Sequence, residues 1–441
     1  MKGFCAILIA FLIVISCAAC NTTPSSSLPS STPSQSFPIS STDSSSDDSS
    51  STPSHTDSSI AGPSFPSEGD SPEDEIIENP PPEDDSVHGR HYCYLGLTEN
   101  QKVYYEAMYT AAINMTKSWV ALGPATKEYK TDVAVVRNAL VNDHPDIFWF
   151  PAYYATALGK DGLGKSVVLM YFSTSSDSGP AFLVAPGEVY TMEKELEKAV
   201  KEITKKVTAT DPYEIELQLH DLLCERVEYS DDKTDPMIFT AYGALVNRRA
   251  LCEGYSRAMQ LLLGEFGIRA ITVTGTAGGE GHMWNAVELG GEWYHLDVTW
   301  NDTKGNVISH EYFNLSDELI LEDHSFSKNY DQFTHEELES GTISFNTKKP
   351  DCTGTQHNFF NRSGFIYFPD NTPALAAYLI RQKDAMVEVR FSDLAFRDRF
   401  YGDTEKYVAS INDALLAANP KADFYIGGIS VSNLVLRLYK K

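Results

Sequence analysis

The chain is poor in cysteine, lacks basic residues over one long stretch and has no long apolar run. Seven cysteines are spread over 441 residues. None forms a Cys-x-x-Cys pair or a Cys/His cluster at ligand spacing, which argues against a structural zinc site. Between Asn21 and Ser86 there is neither Lys nor Arg, and there is almost nothing apolar to bury, so this stretch is expected to stay disordered. Its 13 Asp and Glu supply half of the formal charge of −26. Most of the acidity therefore belongs to a tether rather than to a binding face, and nucleic acid is not an expected partner. The opening apolar run, Ala6 to Ile15, is too short for a comfortable membrane span and suits an export signal. No phosphate-binding loop or cofactor fingerprint is present, so no cofactor and no metal are expected.

What remains is organised in blocks. Val14-Ile15-Ser16-Cys17 resembles the lipobox of bacterial lipoproteins, which implies cleavage after residue 16 and a lipidated Cys17. Cys20, after Ala18-Ala19, is a second candidate, and an ordinary cleaved signal with incidental cysteines is the plainer alternative. Residues 1–17 then form the signal and 18–87 a Ser/Thr/Pro/acidic tether, stiffened at its end by Pro80-Pro81-Pro82. A chain of this length holds two or three folded units. The first, 88–207, is an α+β module. Thr98-Glu-Asn-Gln101 is a capping-box signature for a helix with Val103, Tyr104, Ala107, Met108, Ala111 and Met115 on its apolar face. A helix over Val133 to Leu140, a strand over Ser166 to Phe172 and a helix over Glu193 to Val207 follow. The last unit, 341–441, alternates helical and strand patterns as a small α+β domain.

The chemistry is concentrated in 208–340. After Cys252, apolar residues at Tyr255, Ala258, Met259, Leu262, Leu263 and Phe266 keep the one-face spacing of a helix, and Gly267 stops it. Cys252 thus begins a helix, where unpaired N–H groups and the dipole favour the thiolate. Gly254 is expected to leave room for a substrate. Further on the period becomes two. Ala270 to Thr274 reads as a strand, while His282 to Leu289 and Glu292 to Thr299 flank Gly290-Gly291 as a hairpin. Pairing Leu289 with Glu292 places Trp284 opposite Asp297 and His282 opposite Thr299. His282 and Asp297 are then diagonal neighbours on one face, roughly 7 to 8 Å apart. His295 is a rival base, but it lies on the same strand as Asp297, two residues away, which suits a triad poorly.

Cys252, His282 and Asp297 are therefore the candidate nucleophile, base and orienting carboxylate. Tyr242 is a candidate oxyanion donor or cleft residue, with packing as its alternative, and Trp284 is a candidate cleft or core wall. The Cys252 backbone N–H is the simpler oxyanion donor. Asp143, His144 and Asp146 read as a structural turn before Phe148-Trp149, and Asp231-Asp232-Lys-Thr-Asp235 as a solvated turn that lacks the glycine and distal glutamate of a calcium loop. Cys93, Cys224 and Cys352 are buried free thiols or, in an exported protein, disulfide partners.

The ordered motifs Tyr213-Glu-Ile-Glu-Leu-Gln-Leu-His220-Asp, Thr240-Ala-Tyr242-Gly-Ala-Leu, Ala250-Leu-Cys252-Glu-Gly-Tyr-Ser, Asp297-Val-Thr-Trp-Asn-Asp302 and Tyr312-Phe-Asn-Leu-Ser-Asp317 resemble the transglutaminase-like superfamily. That resemblance implies a papain-like α+β core, a helix-borne Cys packed on an antiparallel sheet, and a Cys-His-Asp triad. It implies a thiol enzyme that attacks amide or peptide carbonyls through a thioester, with hydrolysis (protease or amidase) favoured over cross-linking. The expected partner is a protein or peptide at the cell surface. The expected location is the outer face of a bacterial membrane, held by the lipid. The alternative is a catalytically silent surface binding or assembly protein that keeps the fold, for which Met283, crowding His282, is the feature in favour.

Overall fold

The computed structural model describes residues 41–43, 92–174, 179–303, 307–334 and 345–441. The signal segment, Cys17 and Cys20 lie outside the described residues, as does the tether apart from Ser41–Asp43. Among the described residues no helix is long and apolar enough to cross a membrane.

The capping box forms as read. Thr98 Oγ1 accepts the Gln101 N–H, Gln101 Oε1 accepts the Thr98 N–H, and the helix runs Glu99–Ile113. Tyr104, Met108, Ala111 and Met115 are buried, whereas Val103 is exposed. This helix packs on a second, Tyr129–Asp143, and on a four-stranded sheet ordered Ser41–Asp43, Tyr153–Lys160, Ser166–Ser173, Val120–Pro124. Asp143 holds the short helix Tyr92–Leu95 by accepting the Cys93 and Tyr94 N–H groups, and it also accepts the Tyr105 hydroxyl. The Lys- and Glu-rich helix runs Pro186–Thr204. One apolar core extends from Cys93 through this region into the thiol core as far as Phe345.

The thiol core sets helices Pro212–Arg226 and Cys252–Gly264 against an antiparallel five-stranded sheet. The strand order is Phe313–Leu315, Glu292–Leu296, Glu280–Leu289, Ala270–Ala277, His324–Phe326. Two glycine pairs make its central hairpins. Gly278 and Gly279 (φ +58° and +85°) close one, and Gly290 and Gly291 (φ +62° and +87°) close the other. Positive φ at both central positions is what a tight primed turn demands.

The C-terminal unit has its own apolar core, built from Leu375, Leu379, Val389, Phe391, Phe396, Phe400 and Ile411 among others. Helices Thr372–Arg381, Leu394–Gly402 and Thr404–Ala418 accompany a sheet ordered Ile366–Tyr367, Met386–Phe391, Val435–Lys440, Ile426–Ser432. An ionic chain, buried at its Arg437–Glu388 end, joins this unit to the thiol core. Arg437 Nε donates to Glu388 Oε1 (2.9 Å), Glu388 Oε2 faces His310 Nδ1 (3.3 Å), and His310 Nε2 meets Asp221 (3.0 Å).

Candidate active site

Cys252 is the first residue of its helix, and the preceding Leu251 caps it with no side-chain hydrogen bond. The opening N–H groups of a helix have no intrahelical acceptor and form the positive end of its dipole, and Cys252 stands at that end. Leu251 is pinned by its N–H to the Ile238 carbonyl (2.9 Å). Gly254 serves this same packing rather than substrate access. A Cβ there would lie 2.4 Å from the Ile238 carbonyl oxygen and 2.9 Å from Ala250 Cβ. The expectation of free space beside Gly254 is therefore corrected: neighbouring backbone fills it.

Hydrogen bonds fasten the helix to the sheet. Ser256 Oγ donates to the Met283 carbonyl (3.0 Å), and Asn285 Nδ2 donates to the carbonyls of Ser256 (2.9 Å) and Ile271 (3.3 Å). The helix thus sits over the strand that carries His282. Periodicity alone left that placement undetermined.

The expected register holds from Leu289↔Glu292 to Asn285↔Leu296. It stops there. Asp297 ends the strand and caps a short helix, Val298–Asn301, by accepting the Trp300 N–H at 3.1 Å. The expected pairs Trp284–Asp297 and His282–Thr299 do not form, because capping satisfies Asp297 locally and Thr299 is helical. The carboxylate meets the imidazole from the strand end instead, with His282 Nε2 2.6 Å from Asp297 Oδ2. The Cys252 thiol lies near enough to add to the electrostatic environment of the ring. Cys252 is partly exposed, while the His282 side chain is only 7% exposed.

Burial alone would lower the His282 pKa, but the Asp297 charge and hydrogen bond, with Cys252, outweigh it and raise it to about 10. Asp297 is fully buried. Burial would raise its carboxyl, yet the His282 charge and the hydrogen bonds from His282 and His324 hold it well below the usual carboxylate range. The arrangement therefore favours the imidazolium form of His282 beside the Asp297 carboxylate.

The structure adds a residue that sequence reasoning missed. His324, first in the edge strand His324–Phe326, places Nε2 3.1 Å from the same Asp297 Oδ2 and Nδ1 2.5 Å from Asp323 Oδ1. The Tyr312 hydroxyl donates to the other Asp323 oxygen at 2.6 Å. The only trace in the sequence is the acid-flanked run Glu322-Asp323-His324, and no periodicity brings it near residue 297.

The remaining candidates fall elsewhere. The Tyr242 hydroxyl donates to Glu195 at 2.5 Å and its ring packs on Phe148, so an oxyanion role is replaced by a bond to the neighbouring helix. Trp284 is core. It stacks on His282 (centroids 5.9 Å apart) and donates Nε1–H to His295 Nδ1 at 3.0 Å. His295 is fully buried, and its Nε2 faces Asp317 at 2.8 Å. His144 packs against Tyr109. In the 231–235 turn, Asp232 accepts from Thr234 and Asp235 caps Met237. Cys93, Cys224 and Cys352 are free and buried.

Among the described residues, three sets of donors lie close enough to share a cation: His220, Asp221 and His310; His282, Asp297 and His324; His295, Asp317 and Cys352. In each set the histidine and carboxylate atoms already satisfy one another by hydrogen bonds.

Residues 199–298 match the family model of the transglutaminase-like superfamily core. Kyphoscoliosis peptidase from Mus musculus and its counterpart from Homo sapiens are each 26% identical over 125 residues, covering 23% of this chain and 19% of the relative. The chain thus spans about a fifth of the length of these relatives. A solved structure of a TGase aligns over 34% of this chain and 45% of its own, at 12% identity and a TM-score of 0.24. The helix-borne thiol on an antiparallel sheet and the matching residues together make the stretch 199–298 a transglutaminase-like core domain.

Proposed function

We propose that this protein is an exported thiol enzyme that acts on amide or peptide carbonyls through a Cys252 thioester, with water rather than an amine as the usual final acceptor. The observation that carries the reading is His282 held 2.6 Å from the buried Asp297 carboxylate and near enough to Cys252 for the thiol to influence its charge. The Cys252 sulfur attacks the carbonyl carbon, and the oxyanion meets the backbone N–H groups at the helix start. The His282 proton passes to the departing amine as the C–N bond breaks, leaving a thioester. Water, deprotonated by His282, then releases the acid and restores the thiol. Asp297 fixes the ring and stabilises its charged form throughout.

Hydrolysis is favoured because the curated relatives that align with the core are named peptidases. The test supplies the purified chain with peptides containing Gln or blocked amides, with and without a primary amine, and follows acid release against amine incorporation. Acid release that is lost in Cys252→Ala supports the reading. Amine incorporation without acid release replaces hydrolysis by transfer.

A catalytically silent surface protein is the second reading, motivated by Met283, half-buried and next to His282 in the strand. Its signature is a folded chain whose Cys252 no electrophile labels. Location follows from residues 6–20: an apolar run, then Cys17 or Cys20 as the lipid acceptor at the outer face of a bacterial membrane. Metabolic fatty-acid labelling that survives in both Cys17→Ser and Cys20→Ser would remove the anchor from the account.

A further inference from the structure

Asp297 serves two imidazoles, not one. His282 and His324 both approach Oδ2, at 2.6 and 3.1 Å, while Oδ1 accepts the Trp300 N–H. The His324 side chain has no exposed surface and is enclosed by aromatic rings: Trp300 (centroids 4.7 Å apart), Trp284 (5.1 Å) and Tyr312 (5.4 Å). Each of its ring nitrogens faces a carboxylate oxygen, Asp297 on one side and Asp323 on the other. An unprotonated nitrogen cannot donate to a carboxylate, so satisfying both contacts requires both N–H groups, which makes the ring a cation.

We propose that His324 is a positioning residue of the thiol site, a fixed imidazolium that holds the Asp297 carboxylate by its Nε2–H while Asp323 and the Tyr312 hydroxyl hold the far side. The inference rests on the proposed thiol chemistry, since its effect passes through Asp297 to His282. A lone buried carboxylate would bind the His282 proton so strongly that the imidazolium would part with it reluctantly. A second cation on the same oxygen offsets that pull and leaves His282 better able to protonate a leaving amine.

The titratable groups that face His324 are Asp297 from the strand end, Asp323 from its own segment, Tyr312, His282 across the carboxylate (ring centroids 5.6 Å apart) and His295, whose charge it also senses. Burial opposes the charge on His324, but its bonds to Asp297 and Asp323 prevail and its pKa lies above the ordinary value.

The sign of the test follows from charge alone. Removing a cation near the thiol and imidazole favours the more protonated state of both. His324→Gln keeps an amide donor for Asp297 but no charge. Both limbs of the pH profile of Cys252 alkylation by iodoacetamide should then move to higher pH, by about one unit for a buried neighbouring charge. In the full chain this is read from the Cys252-containing peptide by mass spectrometry, with Cys252→Ala as blank. A purely structural role would lower the melting temperature and leave the limbs in place, which would overturn the proposal.

Should His324→Gln fail to fold, nitrogen NMR of the wild-type imidazoles decides. Both His324 nitrogens protonated at pH 8 support the proposal, and one bare nitrogen overturns it. An unreactive wild-type Cys252 together with a doubly protonated His324 would strike the thiol chemistry and leave the charge arrangement standing. A reactive Cys252 whose profile ignores His324→Gln would strike this inference alone.

Discussion

Asp297 accepts from His282, His324 and the Trp300 backbone in a fully buried position, and that crowding sets what a substitution there does. Asp297→Asn keeps the shape but turns half of the acceptor into a donor and deprives both imidazoles of their anion. Turnover, once a substrate is known, should fall by roughly 10³-fold or more, and alkylation of Cys252 at neutral pH by roughly 10- to 30-fold, as far as loss of thiolate allows. His295→Ala separates the rival base from the site. It should leave Cys252 alkylation near the wild-type rate while lowering stability by about 2–4 kcal/mol, because it opens a cavity and leaves the buried Trp284 N–H without its acceptor. Urea unfolding measures the second effect. A variant that unfolds normally but loses its alkylation would put His295 in the mechanism. Cys252 and His282 were legible because each stands in a strong local pattern. His324 was not, because its relation to Asp297 is made only when the edge strand pairs with Ala270–Ala277.

The elements that place these residues are two: a helix start and a hairpin. The helix start was readable from the apolar spacing after Cys252, and the hairpin from Gly290-Gly291, whose register the structure keeps over five pairs. Reading failed past Leu296, where a strand-like run, Asp297-Val-Thr, becomes a capped helix. An Asp can continue a ladder or cap a helix, and the tertiary contacts of Asp297 with Tyr312 and His282 decide which. It failed again at Gly254, where an apparent opening for substrate is a close approach of backbone. Gly254→Ala must push the helix start away from the Ile238 and Thr240 carbonyls. The expected cost is about 1–3 kcal/mol of stability, together with slowed alkylation of Cys252 as its sulfur leaves His282. Equal alkylation rates at equal folded fraction would show that the helix start tolerates displacement.

At the scale of the molecule, the polar chain Asp221–His310–Glu388–Arg437 couples the thiol core to the C-terminal unit. Burial works against charge on His310, yet hydrogen bonds and charge from Asp221 and Glu388 raise its pKa from 6.5 to about 9. A raised histidine contributes stability in full below its unfolded value and loses it as pH climbs through the folded one. The joint should therefore weaken between about pH 6.5 and 9, by at most about 3 kcal/mol for a shift of this size. His282 adds a loss of the same sign, so the comparison needed is wild type against His310→Gln. The difference in their melting temperatures should shrink steadily over that window, and a pH-independent difference would show His310 neutral. No sequence pattern foretold this joint, whose members lie between 49 and 89 positions apart. The central claim is that Cys252 carries the acyl group. Intact-mass and peptide mass spectrometry of the chain, quenched in acid after mixing with an activated acyl donor such as a p-nitrophenyl ester of a blocked amino acid, reads it directly. The account requires a single acyl adduct on the Cys252 peptide that forms slowly in Asp297→Asn and not at all in Cys252→Ala. An adduct on another residue, or none while the protein is folded, would contradict it.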